Sequence, residues 1–178
     1  MTSSRCTYYT MTSSRFRPES SAVRLYGRGA LQRAKVEMWT RRIELELLFT
    51  SVGKAWLHGE VLAPLRKMSG IVAHASELTL GLRSAQRFYN EVERELAARG
   101  PFVAGDAFTV ADITLLCVLD FAVGLVRVPM PWSALPHLLA WHIRVSGRAS
   151  VRLHPDPYAL QGGEHYTDRN VDSMGSKL

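Results

Sequence analysis

The chain has 178 residues, 47% of them hydrophobic and 21% charged, with a formal charge of +6. That length is enough to bury one core, and the lack of any apolar run of about 18 residues excludes a membrane-spanning helix read from hydropathy. The two cysteines, Cys6 in a polar stretch and Cys117 among apolar residues, give neither a disulfide framework nor metal-ligand spacing, so a reducing, cytoplasmic setting is expected.

Residues 1–21 contain ten Ser or Thr and an imperfect repeat, Met1-Thr-Ser-Ser-Arg5 and Met11-Thr-Ser-Ser-Arg15. This composition predicts a disordered tail, with Met11 an alternative start. An organellar transit peptide has a similar Arg- and Ser-rich, acid-poor composition, but the apolar helical face is weak here. Five arginines against Glu19 give residues 1–28 a charge of +4, which leaves +2 for the other 150. No aromatic-basic interleaving, RNP box or zinc finger accompanies that basic head, so no nucleic-acid partner is expected.

Over residues 31–56 the spacing is helical. Val36, Trp39, Ile43 and Leu47 recur in steps of three and four, and Leu45, Leu48, Val52 and Trp56 make an adjoining stripe, which predicts one long amphipathic helix. A loop marked by Pro64 is expected over 59–70. A second helix follows on Leu78, Leu82, Ala85, Tyr89, Val92 and Leu96, and Gly100-Pro101 ends it.

Two helix-start devices then coincide. Thr109 is placed to cap the N–H of Asp112 while the Asp112 carboxylate reaches back to the N–H of Thr109, and Phe108 and Ile113 occupy the positions of a hydrophobic staple. Loss of the Asp112 cap is expected to cost about 0.5–2 kcal/mol. The helix so started, over 110–125, is apolar nearly all round, the pattern of a helix at the centre of a bundle. Pro136 is suited to open the next helix, with Leu138, Trp141 and Val145 on its core face, and a short helical turn is expected after Ser150. No sustained alternation of apolar residues occurs, so the fold class is all-α.

Other chemistry finds little support. The six histidines include no His-Glu-x-x-His pair, His137 and His142 are five apart and off a shared helical face, and no metal is expected. Gly27-Arg28-Gly29 is too short for a phosphate loop. Asp112 and Asp120 read as a cap and a polar helix residue rather than an acid/base pair.

Residues 101–116, Pro-Phe-Val-Ala-Gly-Asp-Ala-Phe-Thr-Val-Ala-Asp-Ile-Thr-Leu-Leu, closely resemble the capped central helix of the glutathione transferase C-terminal domain. Two further segments agree in order: Arg33-Ala-Lys-Val-Glu-Met-Trp39 is similar to the start of that domain's first helix, and Pro136-His-Leu-Leu-Ala-Trp141, with Arg144 and Arg148, resembles its later Pro-x-x-x-x-Trp segment. The resemblance spans roughly residues 19–154. It implies a helical bundle of that type over 22–154, between a tail at 1–21 and a flexible tail at 155–178.

The family couples this bundle to a thioredoxin-like domain whose Ser, Tyr or Cys works on the glutathione thiol, since the thiolate is the nucleophile. Nothing in the chain matches that position, so no catalytic residue is assigned and most of that domain is expected to be missing. Pro18-Glu-Ser-Ser-Ala-Val-Arg-Leu-Tyr26 resembles the family segment that holds the γ-glutamyl end of glutathione. The resemblance implies that Glu19 and Ser20 are glutathione contacts, by charge-assisted hydrogen bonds. Leu25-Tyr-Gly27 aligns equally with the linker after that segment, and a solvated acid and a helix cap are the alternatives. Because the family's first helix borders the substrate pocket, Arg42, Glu46 and Phe49, one turn apart, become substrate-side candidates, with a solvated face or subunit contact as the alternative.

The implied activity is conjugation of glutathione to hydrophobic electrophiles, a detoxification chemistry, inactive or incomplete in this chain alone. A non-catalytic helical interaction module and an incomplete gene model are the other readings. The face such a bundle turns to its missing half would be apolar, so a homodimer or a thioredoxin-like partner domain is expected to cover it. The final Ser176-Lys177-Leu178 reads as a peroxisomal address if the source is a eukaryote.

Overall fold

The computed structural model describes residues 25–152, and within them the chain is helical with no strand. The tails, Cys6, Glu19 and Ser20 and the Ser-Lys-Leu terminus, for which expectations are stated above, lie outside the described residues.

The first helical rod is continuous but changes its winding twice. It comprises α1 (Gly29–Arg42), a π-helical stretch (Ile43–Val52) and α2 (Gly53–His58). Local bonds accompany the wide turn: the hydroxyls of Thr50 and Ser51 donate to carbonyls five residues back, Leu45 O at 2.7 Å and Glu46 O at 2.6 Å, and Gly53 N–H goes to Leu48 O. Wider winding also changes which residues face inward. Ile43, Leu47, Ser51 and Val52 are buried, a step of four where an α-helix would average 3.6. The expected second stripe is therefore only half realised: Val52 is core and Leu48 packs against the core, while Leu45 is 57% exposed and Trp56 sits partly at the surface.

Residues 59–70, expected to be a loop, are mostly helical. A 3-10 turn (Glu60–Leu62) leads into α3 (Ala63–Ser69). Pro64 stands in the first turn of α3, where its fixed φ and missing N–H suit a helix start, and Gly70 ends the helix at φ 68°. The buried Arg66 ties α3 to the preceding helix, its Nη1 donating to Leu57 O at 2.7 Å and Gly59 O at 2.6 Å. Those carbonyls at the end of α2 have no intrahelical partner, so a cation there meets both the hydrogen-bond need and the helix dipole.

The chain then folds back along the rod as α4 (Ala75–Arg99), which packs on the π-helical stretch and α2. Gly81 sets the closeness of that crossing. A Cβ there would stand 2.7 Å from Ser51 O and 2.9 Å from Lys54 Cβ.

At the centre lies α5 (Val110–Asp120), extended by a π-helical turn (Phe121–Leu125), against α1, the rod's π-helical stretch and α6 (Pro136–Ser146). A 3-10 turn (Trp132–Ala134) precedes α6, and α7 (Ala149–Arg152) follows it. The core joins Trp39, Ile43 and Leu47 of the rod to Phe88, Tyr89 and Val92 of α4, Leu115 and Leu119 of α5, and Leu138, Trp141 and Val145 of α6. One face of α5 stays open, because Ile113 and Cys117 are exposed.

Candidate functional site

Two polar centres hold the bundle together, and each contains residues singled out from the sequence. The first is the start of α5. Both arms of the Thr109–Asp112 capping box are closed, with Thr109 N–H 2.9 Å from Asp112 Oδ2 and the Thr109 hydroxyl 3.1 Å from the same oxygen. Oδ1 accepts from Val103 N–H at 3.0 Å and from Trp141 Nε1–H at 2.9 Å. One fully buried carboxylate thus fastens α5 to the turn before it and to α6. Spacing alone suggested only the box, because the other two donors come from a turn and from a helix 29 residues away. Beside the box, the Phe108 ring meets Phe102 edge-on at 5.9 Å and carries the Arg148 guanidinium at 3.8 Å.

The second centre is the rod's Arg42. It grips Glu46 with two bonds of 2.8 and 3.0 Å, reaches Glu91 of α4, and lies over the rings of Trp39 and Phe88 at 5.0 and 5.6 Å. The hydrogen bond to Glu46 is the largest influence holding its guanidinium above the ordinary value, with Glu91 adding to it against burial; the same bond holds the Glu46 carboxyl below its usual range. Arg42 and Glu46 are thereby brought together, chiefly with each other and with α4.

Phe49 is separate from that pair. It is 69% exposed, on the same helix face as the exposed Met38 and Leu45, spaced seven and then four residues apart as one apolar row. Beside Glu46 and Glu91 a narrow cleft of about 80 Å³ opens between the π-helical stretch and α4, lined by Ser51, Ser84, Arg87 and Phe88. A larger open cleft of about 370 Å³ lies where the start of α1, the end of α4 and the 104–106 turn meet, lined by Lys35, Glu95, Arg99 and Asp106. No group of three His, Cys, Asp or Glu able to hold a metal converges among the described residues, and no described helix is long and apolar enough to cross a membrane.

Sequence reading missed a third polar tie. Glu93 of α4 accepts His137 N–H at 3.1 Å, Leu138 N–H at 2.7 Å and His137 Nδ1 at 2.7 Å, so it caps α6 from another helix. Burial pushes its carboxyl up, but the donated bonds from Leu138 and His137 outweigh this and leave it below the ordinary carboxylate value. The available signal was Pro136 opening a helix with no side-chain cap of its own.

Comparison with known proteins agrees with this architecture. The family model for the glutathione S-transferase C-terminal domain matches residues 38–144. Glutathione S-transferase 2 of Saccharomyces cerevisiae is 31% identical over 133 residues, covering 72% of this chain and 52% of that protein. Among solved structures, Gtt2 from Saccharomyces cerevisiae superposes with a TM-score of 0.62 at 28% identity, covering 72% of this chain and 59% of its own. A glutathione S-transferase domain-containing protein from Marinobacter aquaeolei gives a TM-score of 0.60 at 32% identity, with 71% and 59% covered. The chain thus spans about half the length of the curated relative it matches.

Proposed function

Since the chain belongs to the glutathione S-transferase family, matching its C-terminal helical domain, we propose that it supplies the hydrophobic-substrate side of a site that conjugates glutathione to apolar electrophiles. The observation that carries this reading is the exposed row Met38, Leu45 and Phe49 on a helix whose opposite face is fully committed to the core. Such a row costs solvation unless an apolar molecule or a second surface covers it. In this proposal Phe49 meets the electrophile, and Arg42 and Glu46 fix the helix beneath it and form the polar rim. Glu19 and Ser20 are proposed to hold the γ-glutamyl end of glutathione. The group that works on the thiol is assigned to a thioredoxin-like domain, so this chain by itself is proposed to be inactive in conjugation.

A second reading, a non-catalytic protein-interaction module, is favoured by the apolar tip around α3, where Leu65, Met68, Ile71 and Val72 are all exposed. Calorimetric titration of the chain with reduced glutathione, with Glu19→Ala as control, separates the two. Binding abolished by Glu19→Ala supports the transferase reading. Absence of binding at millimolar glutathione overturns the Glu19 and Ser20 assignment and leaves the module reading in its place.

A further inference from the structure

Two helices and a turn border the open cleft of about 370 Å³. Leu31 and Lys35, four residues apart, share one face of α1, and Glu95 and Arg99, also four apart, share one face of α4; all four line the cleft. The third side is the turn that carries Ala104 and Asp106, braced by reciprocal backbone bonds of 3.1 and 3.0 Å between Phe102 and Gly105. That turn lies against the end of α4, since a Cβ on Gly100 would stand 3.3 Å from Gly105 O and 3.4 Å from Asp106 Oδ1. The four charges are unequally committed. Arg99 Nε reaches Glu95 Oε1 at 3.4 Å, whereas Lys35 and Asp106 form no ion pair among the described residues.

The lining charges balance, Lys35 and Arg99 against Glu95 and Asp106. A molecule of one sign therefore meets as much repulsion as attraction, while one that carries both signs is complemented at each end. The last carbonyls of α4 bear partial negative charge, so the Asp106 side suits a cation and Lys35 is left to hold an anion. Apolar surface is present as well, with Leu31 74% exposed at the rim. The cleft opens to solvent and has the size of small-molecule sites, roughly 300–1,000 Å³. We infer that it binds a small zwitterion, an α-amino acid or short peptide with free ends. The ammonium sits on Asp106 at the end of α4, the carboxylate on Lys35, and an apolar side chain against Leu31 and Ala104. None of these residues is assigned to glutathione or to the electrophile, so the inference stands apart from the proposed function.

The test follows the backbone amide signals of Gly105 and its neighbours by NMR on the isotope-labelled full chain, at constant pH and ionic strength, titrating leucine in one arm and the dipeptide glycylleucine in the other. The signals are expected to shift and saturate with a Kd on the order of millimolar. Saturation by both assigns the shared zwitterion chemistry, and saturation by one names the favoured distance between the charged ends. N-acetylleucine, which lacks the ammonium, and leucinamide, which lacks the carboxylate, should each bind at least about tenfold more weakly than leucine, the loss of one charge-assisted bond. Lys35→Gln should erase the preference for leucine over leucinamide, and Asp106→Asn the preference over N-acetylleucine, with the remaining amide signals reporting that each variant keeps its fold. The exposed Arg94→Gln, outside the cleft, should change neither. Signals that stay still or drift linearly with both zwitterions would overturn the assignment, as would N-acetylleucine binding as tightly as leucine or full-strength binding in Lys35→Gln and Asp106→Asn.

Discussion

At the scale of single residues, Asp112 concentrates more of the fold than any cap rule implies. Four hydrogen bonds converge on its buried carboxylate. Asp112→Ala strands the N–H groups of Val103, Thr109 and Trp141, each costing about 1–3 kcal/mol when left unpaired. The expected loss is therefore about 3–5 kcal/mol by denaturant unfolding, above the capping value alone. Asp112→Asn discriminates further. It keeps an acceptor for Val103 and Trp141 but turns an amide donor toward Thr109 N–H, so it should fall between wild type and Asp112→Ala. Equal stability of Asn and Ala variants would show that the bonds to Val103 and Trp141 contribute nothing. The capping box was legible because it is written within four consecutive positions. The reach to Trp141 was not, since nothing local in residues 136–146 records what an indole N–H will face.

At the scale of elements, the contacts between helices decide where the chain tolerates change. Gly81 sits where α4 crosses the rod, and a methyl there runs into Ser51 O and the Lys54 side chain. Although alanine is the better helix former by about 1 kcal/mol, overpacking against a backbone carbonyl costs about 1–3 kcal/mol. Gly81→Ala is accordingly expected to lower Tm, and an increase would mean that the crossing can open freely.

Glu93 ties α4 to α6 in a pH-dependent way. Its folded carboxyl titrates below the ordinary value of 4.5, so the unfolded chain takes up the proton first as pH falls. The contribution of Glu93 to stability is complete above that ordinary value and is lost as pH drops through the lowered folded value. Glu93→Gln should therefore be less stable than wild type at neutral pH and converge with it in acid. A gap that persists unchanged in acid would place the effect in packing rather than charge.

At the scale of the whole molecule, the apolar rod face carries the consequence. Met38, Leu45 and Phe49 form a row, and α3 adds a second exposed apolar group, which monomers seldom leave bare. Sedimentation should reveal self-association of the chain, weakened by Phe49→Asp, whose side chain is too exposed to disturb the core. A clean monomer at high concentration, unchanged by the substitution, would remove the proposed covering surface.

The sequence by itself determined the long helices and most of their core faces. The i, i+3, i+4 pattern at Val36, Trp39, Ile43 and Leu47, the breaker Gly100-Pro101, the box at Thr109 and Asp112 and the opening Pro136 are all local in sequence, and local spacing dictates which residues can share a helical face. Only the tertiary structure decided the winding of the rod over Ile43–Val52, the helix at Ala63–Ser69, the cross-helix cap from Glu93, the close crossing at Gly81 and the pairing of Arg42 with Glu91. Those depend on which groups meet from distant parts of the chain, where a carbonyl left open by one helix is satisfied by a side chain of another.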